Sequence, residues 1–392
     1  MRPRRRTGPR KGLGLLAVIA TMGMLGACAQ AESNQRASSG DSSTSEAGVA
    51  QAEKDVAAWS QPLTEYPAEP ALSQPVDLNG KTVMVVPLGD NIPVLHGMAV
   101  GIEEAMKEVG ASTKLCDGKF NPTAVAGCLK QAGDEKVDAV MTLFVDYEMA
   151  GTAFEALAKQ GVPTIIAGVA PSGGRESDDT LAFYDNTPRV ADLYDAMSKA
   201  ALAEAGTETN ALWLRLTDST TTREASDSGV ETFKDLCPTC GIATADFTTA
   251  NLDKLASAVS AALVQNPDTN MVIVPVDSFV PPALQGIRSA GFGNKVKIVS
   301  SSSDVAGLQR VKDGQQVADL GTPVVYEGWK VANALMQHLA GDEVRKGDVL
   351  VTRNINADNI GEMEISQDAY FTMDWFGNDS FKQMFLEAWG VS

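Results

Sequence analysis

Histidine is nearly missing from this chain: its 392 residues include only two, His96 and His338. No H-E-x-x-H pair, no G-x-x-x-x-G-K-[ST] phosphate loop and no G-x-S-x-G nucleophile turn occurs. A zinc hydrolase or a serine triad would have little to work with, and His338, inside a helical period with an apolar face, reads as structural. Positive charge is scarce as well, with 32 Lys and Arg against 50 Asp and Glu. Six of the basic residues fall in the first 11, and without residues 1–27 the net charge is about −24. Such a balance excludes a nucleic-acid partner, whose phosphates need a basic face. Nor would charge alone hold the chain on anionic lipid; a soluble, self-repelling surface is what it describes. The N-terminal apolar run, Leu13 to Leu25, is about 13 residues long, short of the roughly 20 that span a bilayer.

What is present begins at that run. A basic head (Arg2, Arg4, Arg5, Arg6, Arg10, Lys11), a short apolar core and small residues before a cut describe a secretory signal peptide over 1–27. Leu25-Gly26-Ala27-Cys28 resembles the bacterial lipobox, in which cleavage leaves the cysteine first and its thiol lipidated. Cys28 is therefore the expected membrane attachment; the alternative is an ordinary signal peptide with an incidental cysteine. Residues 28–79 (SSGDSSTSEAG, then PLTEYPAEPALSQP) show almost no periodic apolar pattern and read as a disordered tether.

Export puts the other cysteines in an oxidising compartment. Cys116 with Cys128, and Cys237 with Cys240, are expected to form structural disulfides. A four-cysteine zinc site or a redox-active C-x-x-C would use the same residues, but nothing places Cys237-Pro238-Thr239-Cys240 at a helix start, where thiolate chemistry is favoured.

After Asn79 short apolar runs alternate with helical periods. KTVMVVP (81–87) reads as a fully buried strand, and Leu95, Met98, Ala99, Ile102, Met106 and Val109 then fall at helical spacing before Gly110. The alternation recurs to about residue 340. About ten strands over roughly 310 residues imply an α/β protein with two lobes, each a doubly wound parallel sheet.

Polar and aromatic residues gather just after these strands, where ligands bind in open α/β sheets. They include Asp90-Asn91, Asp146-Tyr147, Asp185-Asn186, Thr220 to Arg223, Asp277-Ser278-Phe279 and Ser301 to Asp304. Singly, each reads as a solvated loop or a helix cap; Ser303 and Asp304 look especially like caps.

The order GDNIPVLHGMAVGIEEAMKEVG, VDAVMTLFVDYEMAGTAFEALAKQGVPTIIAG, DNTPR, TTTREASDSGVETF, VPVDSFVPPALQGIRSAGF, LQRVKDGQ resembles the ribose-binding-protein-like (type I) periplasmic binding proteins, the sugar-type substrate-binding subunits of ABC transporters. The resemblance covers about 80–350. It implies two lobes joined by three crossovers with the ligand between them. Residues 80–182 with 323–350 would form lobe 1, and 183–322 with 351–392 lobe 2. It implies no enzyme activity and no cofactor. The partners would be a small sugar or sugar-like ligand and the ABC permease, with a lipid-anchored monomer outside a Gram-positive cell. The alternative is a sensor presenting its closed form to a membrane receptor or kinase.

Carried over residue by residue, the resemblance puts Asn91 at the first-lobe ligand loop, Asp146 at an acidic acceptor of sugar hydroxyls, Arg223 at a second-lobe arginine and Asp277 at a second-lobe polar contact. Asp90, Tyr147, Asn186, Phe279, Ser302 and Thr322 complete the expected ligand-binding set. Two departures weaken a typical monosaccharide ligand. The positions of the aromatic pair that sandwiches a pyranose hold Val94 and Leu95, and an acidic position falls near Ser302. Phe144, Tyr147, Trp213, Phe279 and Tyr326 offer aromatic walls elsewhere, although Trp213 lies inside a strand.

Overall fold

The run Thr82–Pro87 (β1) is buried along almost its whole length, as an inner parallel strand covered by helices on both faces must be. It is an inner strand of the first sheet in the computed structural model, which describes residues 39–391. That sheet has the order β2-β1-β3-β4-β5, all parallel, with β2 Ser112–Leu115, β3 Ala139–Leu143, β4 Thr164–Ala167 and β5 Leu181–Tyr184. The second sheet comprises β6 Asn210–Leu216, β7 Gly241–Phe247, β8 Met271–Val274, β9 Lys297–Ser302, β10 Ala318–Gly321 and β11 Arg353–Asn356. Its order is β11-β10-β9-β8-β6-β7, parallel except for the antiparallel edge strand β11.

The α-helices are α1 Ser39–Trp59, α2 Pro93–Glu108, α3 Pro122–Glu135, α4 Tyr147–Lys159, α5 Thr187–Ala205 and α6 Thr220–Leu236. They continue with α7 Leu255–Gln265, α8 Val280–Ser289, α9 Val305–Lys312, α10 Val324–Ala340, α11 Gln367–Thr372 and α12 Phe381–Trp389. Local chemistry fixes many of their starts. Proline stands in the first turn of α2, α3, α5 and α8, where its missing N–H is harmless and its fixed φ helps. Asn121, Asp146, Ser219 and Asp304 cap α3, α4, α6 and α9 with their side chains.

Two α/β lobes with parallel-dominated sheets result, as the alternation of strands and helices implies. Cys116–Cys128 and Cys237–Cys240 both form disulfides, with Cα atoms 5.7 and 5.3 Å apart. Cys237 is the C-cap of α6, the wrong helix end for a depressed thiol pKa. Cys28 and the signal segment lie outside the described residues.

The structure corrects the sequence reading in two places. Over 39–79 the expected tether is ordered. Helix α1 docks on α5 and α6 of lobe 2 and buries Val49 and Ala52 there. Gly48 lies so close to the end of α6 that a Cβ would run into the Leu236 carbonyl, which is the close approach that favours glycine. Ser45 Oγ accepts from the Thr239 N–H and hydroxyl at 3.2 and 2.8 Å, and Lys199 reaches Asp55 at 2.7 Å. Residues 60–78 then run as an extended strap over lobe 1. The Leu63 and Leu72 N–H groups donate to the Phe376 and Ala388 carbonyls at 2.6 and 2.9 Å, and Tyr66 packs 4.8 Å from Tyr326 and 5.0 Å from Phe381. Serine-rich composition hid this helix because its packed side is only a short period, Val49, Ala52, Val56 and Trp59, within polar sequence.

The second correction concerns residues 351–392. Strand β11 belongs to lobe 2, but α11 and α12 return to lobe 1 and pack on α2 and α10. Trp389 stacks on Trp329 of α10 at 5.5 Å with planes 8° apart, and Phe381 and Phe385 close around it. Within the described residues the chain therefore passes between the lobes at the strap, at 185–186, at 322–323, at 341–352 and after β11, rather than at three crossovers alone.

Candidate functional site

Between the lobes, at the carboxyl ends of β1, β3, β6, β8, β9 and β10, lies a cavity of about 310 Å³, where an α/β sheet leaves its loops free to bind. Lobe 1 contributes the loop after β1 and the start of α2 (Leu88, Ile92, Val94, Leu95), Phe120, and the loop after β3 (Phe144, Asp146). Lobe 2 contributes the first two turns of α5, the loop into α6, and the ends of β8 to β10.

The backbone is constrained at this site. Phe144 has φ 56° and Ser302 φ 100°, both left-handed without being glycine. Such conformations cost about 1 to 3 kcal/mol and collect at functional sites. Each sits at a strand end on the cavity wall, and surrounding contacts hold it there. Gly168 lies beneath the Phe144 ring, with room for no Cβ, and the Ser303 N–H donates to Asp319 Oδ1 at 3.0 Å.

Three charged side chains reach the cavity, and each has a partner. Asp146 Oδ1 accepts from the Glu148 N–H at 2.9 Å and the Ser172 hydroxyl at 2.6 Å. Asp218 accepts from the Thr249 N–H and hydroxyl at 3.0 and 2.6 Å. Arg189, in the first turn of α5, faces Glu327 in the first turn of α10 with Nε 3.5 Å from Oε2. This ion pair is buried on both sides and joins lobe 2 to lobe 1 where the chain crosses. Arg189 Nε and Nη1, however, have no hydrogen-bond partner within the protein.

Behind the lobe 2 wall lies a buried acidic network. Asp277 accepts from the Ser300 hydroxyl, from the Asp304 N–H at 3.0 Å and from Arg310 Nη2 at 3.2 Å, and Gln316 Nε2 lies 3.3 Å away. Burial and then the Asp277 charge push Asp304 up to about 6. The same causes push Asp319, which lies beside Asp277, well above the usual carboxylate range. Among the described residues no group of three His, Cys, Asp or Glu is arranged to hold a metal ion.

The periplasmic binding protein domain model matches residues 83–343, which takes in the first sheet, the second sheet apart from β11, and the cavity between them. The chain belongs to that family. Comparison with curated proteins returns no relative. Among solved structures, it resembles a 5-methylthioribose transporter solute-binding protein of Thermotoga lettingae (14% identity, 82% of this chain and 100% of that one, TM-score 0.64). It also resembles an ABC transporter solute-binding protein of Agrobacterium vitis bound with α-D-tagatopyranose (18%, 71% and 96%, 0.61) and a Caulobacter myo-inositol binding protein (19%, 72% and 96%, 0.59). These likenesses describe the fold.

Of the residues the family resemblance picked out, this periplasmic binding protein domain brings Asp146, Phe279, Ser302 and Thr322 to the cavity, together with Phe144. The others stand elsewhere, for reasons visible in the structure. Asn91 is exposed in the turn before α2, and Asp90 pairs with His96 Nδ1 at 2.9 Å. Tyr147 turns down the outer face of α4, stacks on Phe154 at 5.7 Å and donates to Glu155 at 3.0 Å. Asn186 is wholly buried at the lobe crossing. Arg223 is exposed: Ser219 caps α6, so Thr222 faces the cavity and the next residue, about 100° further round the helix, faces solvent. Asp277 is drawn inward by Arg310, leaving Phe279, two residues on, at the wall. Trp213 and Tyr326 are core residues, packed against Tyr194 and against Tyr66 and Phe381.

Sequence reasoning missed Arg189, Asp218 and Thr249, and of the stretch Thr220 to Arg223 it favoured Arg223 where Thr222 lines the cavity. The DNTPR stretch held one signal, since an arginine in the first turn of a helix opening at a lobe crossing must face one lobe or the cleft.

Proposed function

We propose that the chain is the solute receptor of an ABC importer, binding a small sugar-like ligand between its lobes and delivering it to a permease, with a lipid on Cys28 as its membrane attachment. The observation that carries the reading is the cavity itself. It is walled by strand-end loops of both lobes and crossed at its rear by the Arg189–Glu327 pair. A ligand touching both walls stabilises the closed arrangement through contacts the open one lacks. Family membership and the solute-binding proteins among its structural neighbours support a receptor rather than an enzyme. No helix among the described residues is long and apolar enough to cross a membrane, so attachment is assigned to the cysteine.

A ligand that binds only the folded state raises the melting temperature, by about 2.7 kcal/mol of stabilisation at a hundredfold excess over Kd. A thermal-shift panel of tagatose, ribose, 5-methylthioribose, glucose, phenyl β-D-glucopyranoside, myo-inositol and allitol is expected to include at least one compound that raises the midpoint by several degrees. A flat response across the panel would overturn the sugar-like assignment. Cys28→Ala is expected to release the protein into the medium; retention on washed membranes would show that Cys28 is not the anchor.

A further inference from the structure

The two walls of the cavity differ in chemistry. Nine of the ten lobe 1 residues facing it are apolar, Asp146 being the exception. Leu88, Ile92, Val94, Phe144 and Met149 are only half-buried, so their free surface is available to a ligand. Lobe 2 is mixed: Val190, Leu193, Leu216, Val276 and Phe279 line it too, but it carries nearly all the polar groups, with Ser219, Thr222, Thr249, Ser302 and Thr322 and with Asp218 and Arg189 beside them. Arg189 is 3% exposed beside the cavity, and its Nε, 3.5 Å from Glu327 Oε2, and Nη1 have no hydrogen-bond partner within the protein. A bare hexose or pentose carries hydroxyls around its whole rim, and on closure several would be pressed against Leu, Ile, Val and Met, where a desolvated hydroxyl without a partner is penalised.

We infer that the ligand is two-faced: a sugar or polyol carrying an alkyl, alkylthio or aryl substituent, with the substituent against lobe 1 and the hydroxylated edge against lobe 2. This rests on the solute-receptor reading and narrows it. The lobe 1 wall is curved around the site by residues from α2, the β2–α3 loop and the β3–α4 loop. It therefore encloses a substituent instead of offering a single flat ring to stack on, which fits the presence of Val94 and Leu95 where sugar binders carry aromatics. Apart from Asp146, the donors and acceptors then stand on the lobe 2 side, matching a ligand with most of its polar groups along one edge.

The test is calorimetric titration with matched probes: D-ribose against 5-methylthioribose, and D-glucose against phenyl β-D-glucopyranoside. In at least one pair the substituted compound is expected to bind at least tenfold more tightly, with the more negative heat-capacity change that apolar burial produces. Val94→Asn should narrow that ratio several-fold by placing an amide in the apolar wall. If the unsubstituted sugars bind as tightly as their partners, the two-faced ligand is wrong while the solute-receptor reading stands. If no probe binds at millimolar concentration, both fall.

Discussion

Deletion of residues 39–79 is expected to lower the melting temperature by roughly 5 °C and to leave an aggregation-prone protein. The boundary at residue 80 is the one that family resemblance recommends, and it removes α1 and the strap together. Lobe 2 would lose the cover that Val49 and Ala52 provide, and lobe 1 would lose Leu63, Tyr66 and Leu72 from the α10–α12 surface, exposing the groove between Tyr326 and Phe381. Each buried apolar side chain contributes about 1.5 to 3 kcal/mol, part of it offset by the entropy of ordering the segment. A net loss of roughly 3 kcal/mol corresponds to a shift of about 5 °C for a chain of this length. The freshly exposed aromatic groove is the kind of contiguous apolar patch that drives self-association. Scanning calorimetry and light scattering on the 80–392 chain check this, and a midpoint within 2 °C of the parent would refute it. Tyr66→Ala, which opens only the groove, should reproduce about half of the shift.

Arg310→Ala is expected to unfold lobe 2 about 10 °C earlier at pH 8 and to be partly rescued at pH 5. Arg310 is the cation that lies against Asp277 in the network of Asp277, Asp304 and Asp319. Removing one partner of a buried pair costs about 3 to 5 kcal/mol, because the remaining charge is left without compensation. The pH dependence follows from the direction of the shifts. Asp304 titrates near 6 in the folded protein and near 3.8 when unfolded. Between those values the folded state holds more protons, and stability falls as pH rises. Without the arginine the carboxyls titrate higher still, so the fall extends further towards neutral pH. Asp319→Asn should be well tolerated in the parent, since an uncharged amide replaces a protonated carboxyl beside Asp277. Calorimetric profiles from pH 5 to 8 that coincide for Arg310→Ala and parent would refute the account.

The two-lobed α/β architecture was legible in the sequence because its strands are buried on both faces and so read as unbroken apolar runs, as in Thr82–Pro87, with glycine and proline marking helix ends. The helix α1 was not. Its buried side carries Val49, Ala52, Val56 and Trp59 at helical spacing, but so short a period, set in serine-, glutamine- and glutamate-rich sequence and helped by close approaches at Ser45 and Gly48, was masked by its surroundings. The site was half legible for a related reason. Strand ends identify a cluster of loops, but which side chain of a loop turns inward depends on rotations of about 100° per helical residue and on partners remote in sequence. Thr222 and Arg223 are neighbours with opposite outlooks. Asp277 is captured by Arg310, 33 residues further on, while Phe279 faces the cleft.

The docked α1 and its strap also set how this protein would carry load. Traction applied at the N-terminal end, the end assigned to the membrane, is received first by the seat of α1 on lobe 2, then by Leu63, Tyr66 and Leu72 in succession along lobe 1. Only after those contacts have peeled away one by one would tension reach β1, an inner strand of the first sheet. Rupture under force should therefore begin with small, early steps that leave both sheets whole, so that the ligand cleft is mechanically insulated from movements of the surface to which the protein is fastened.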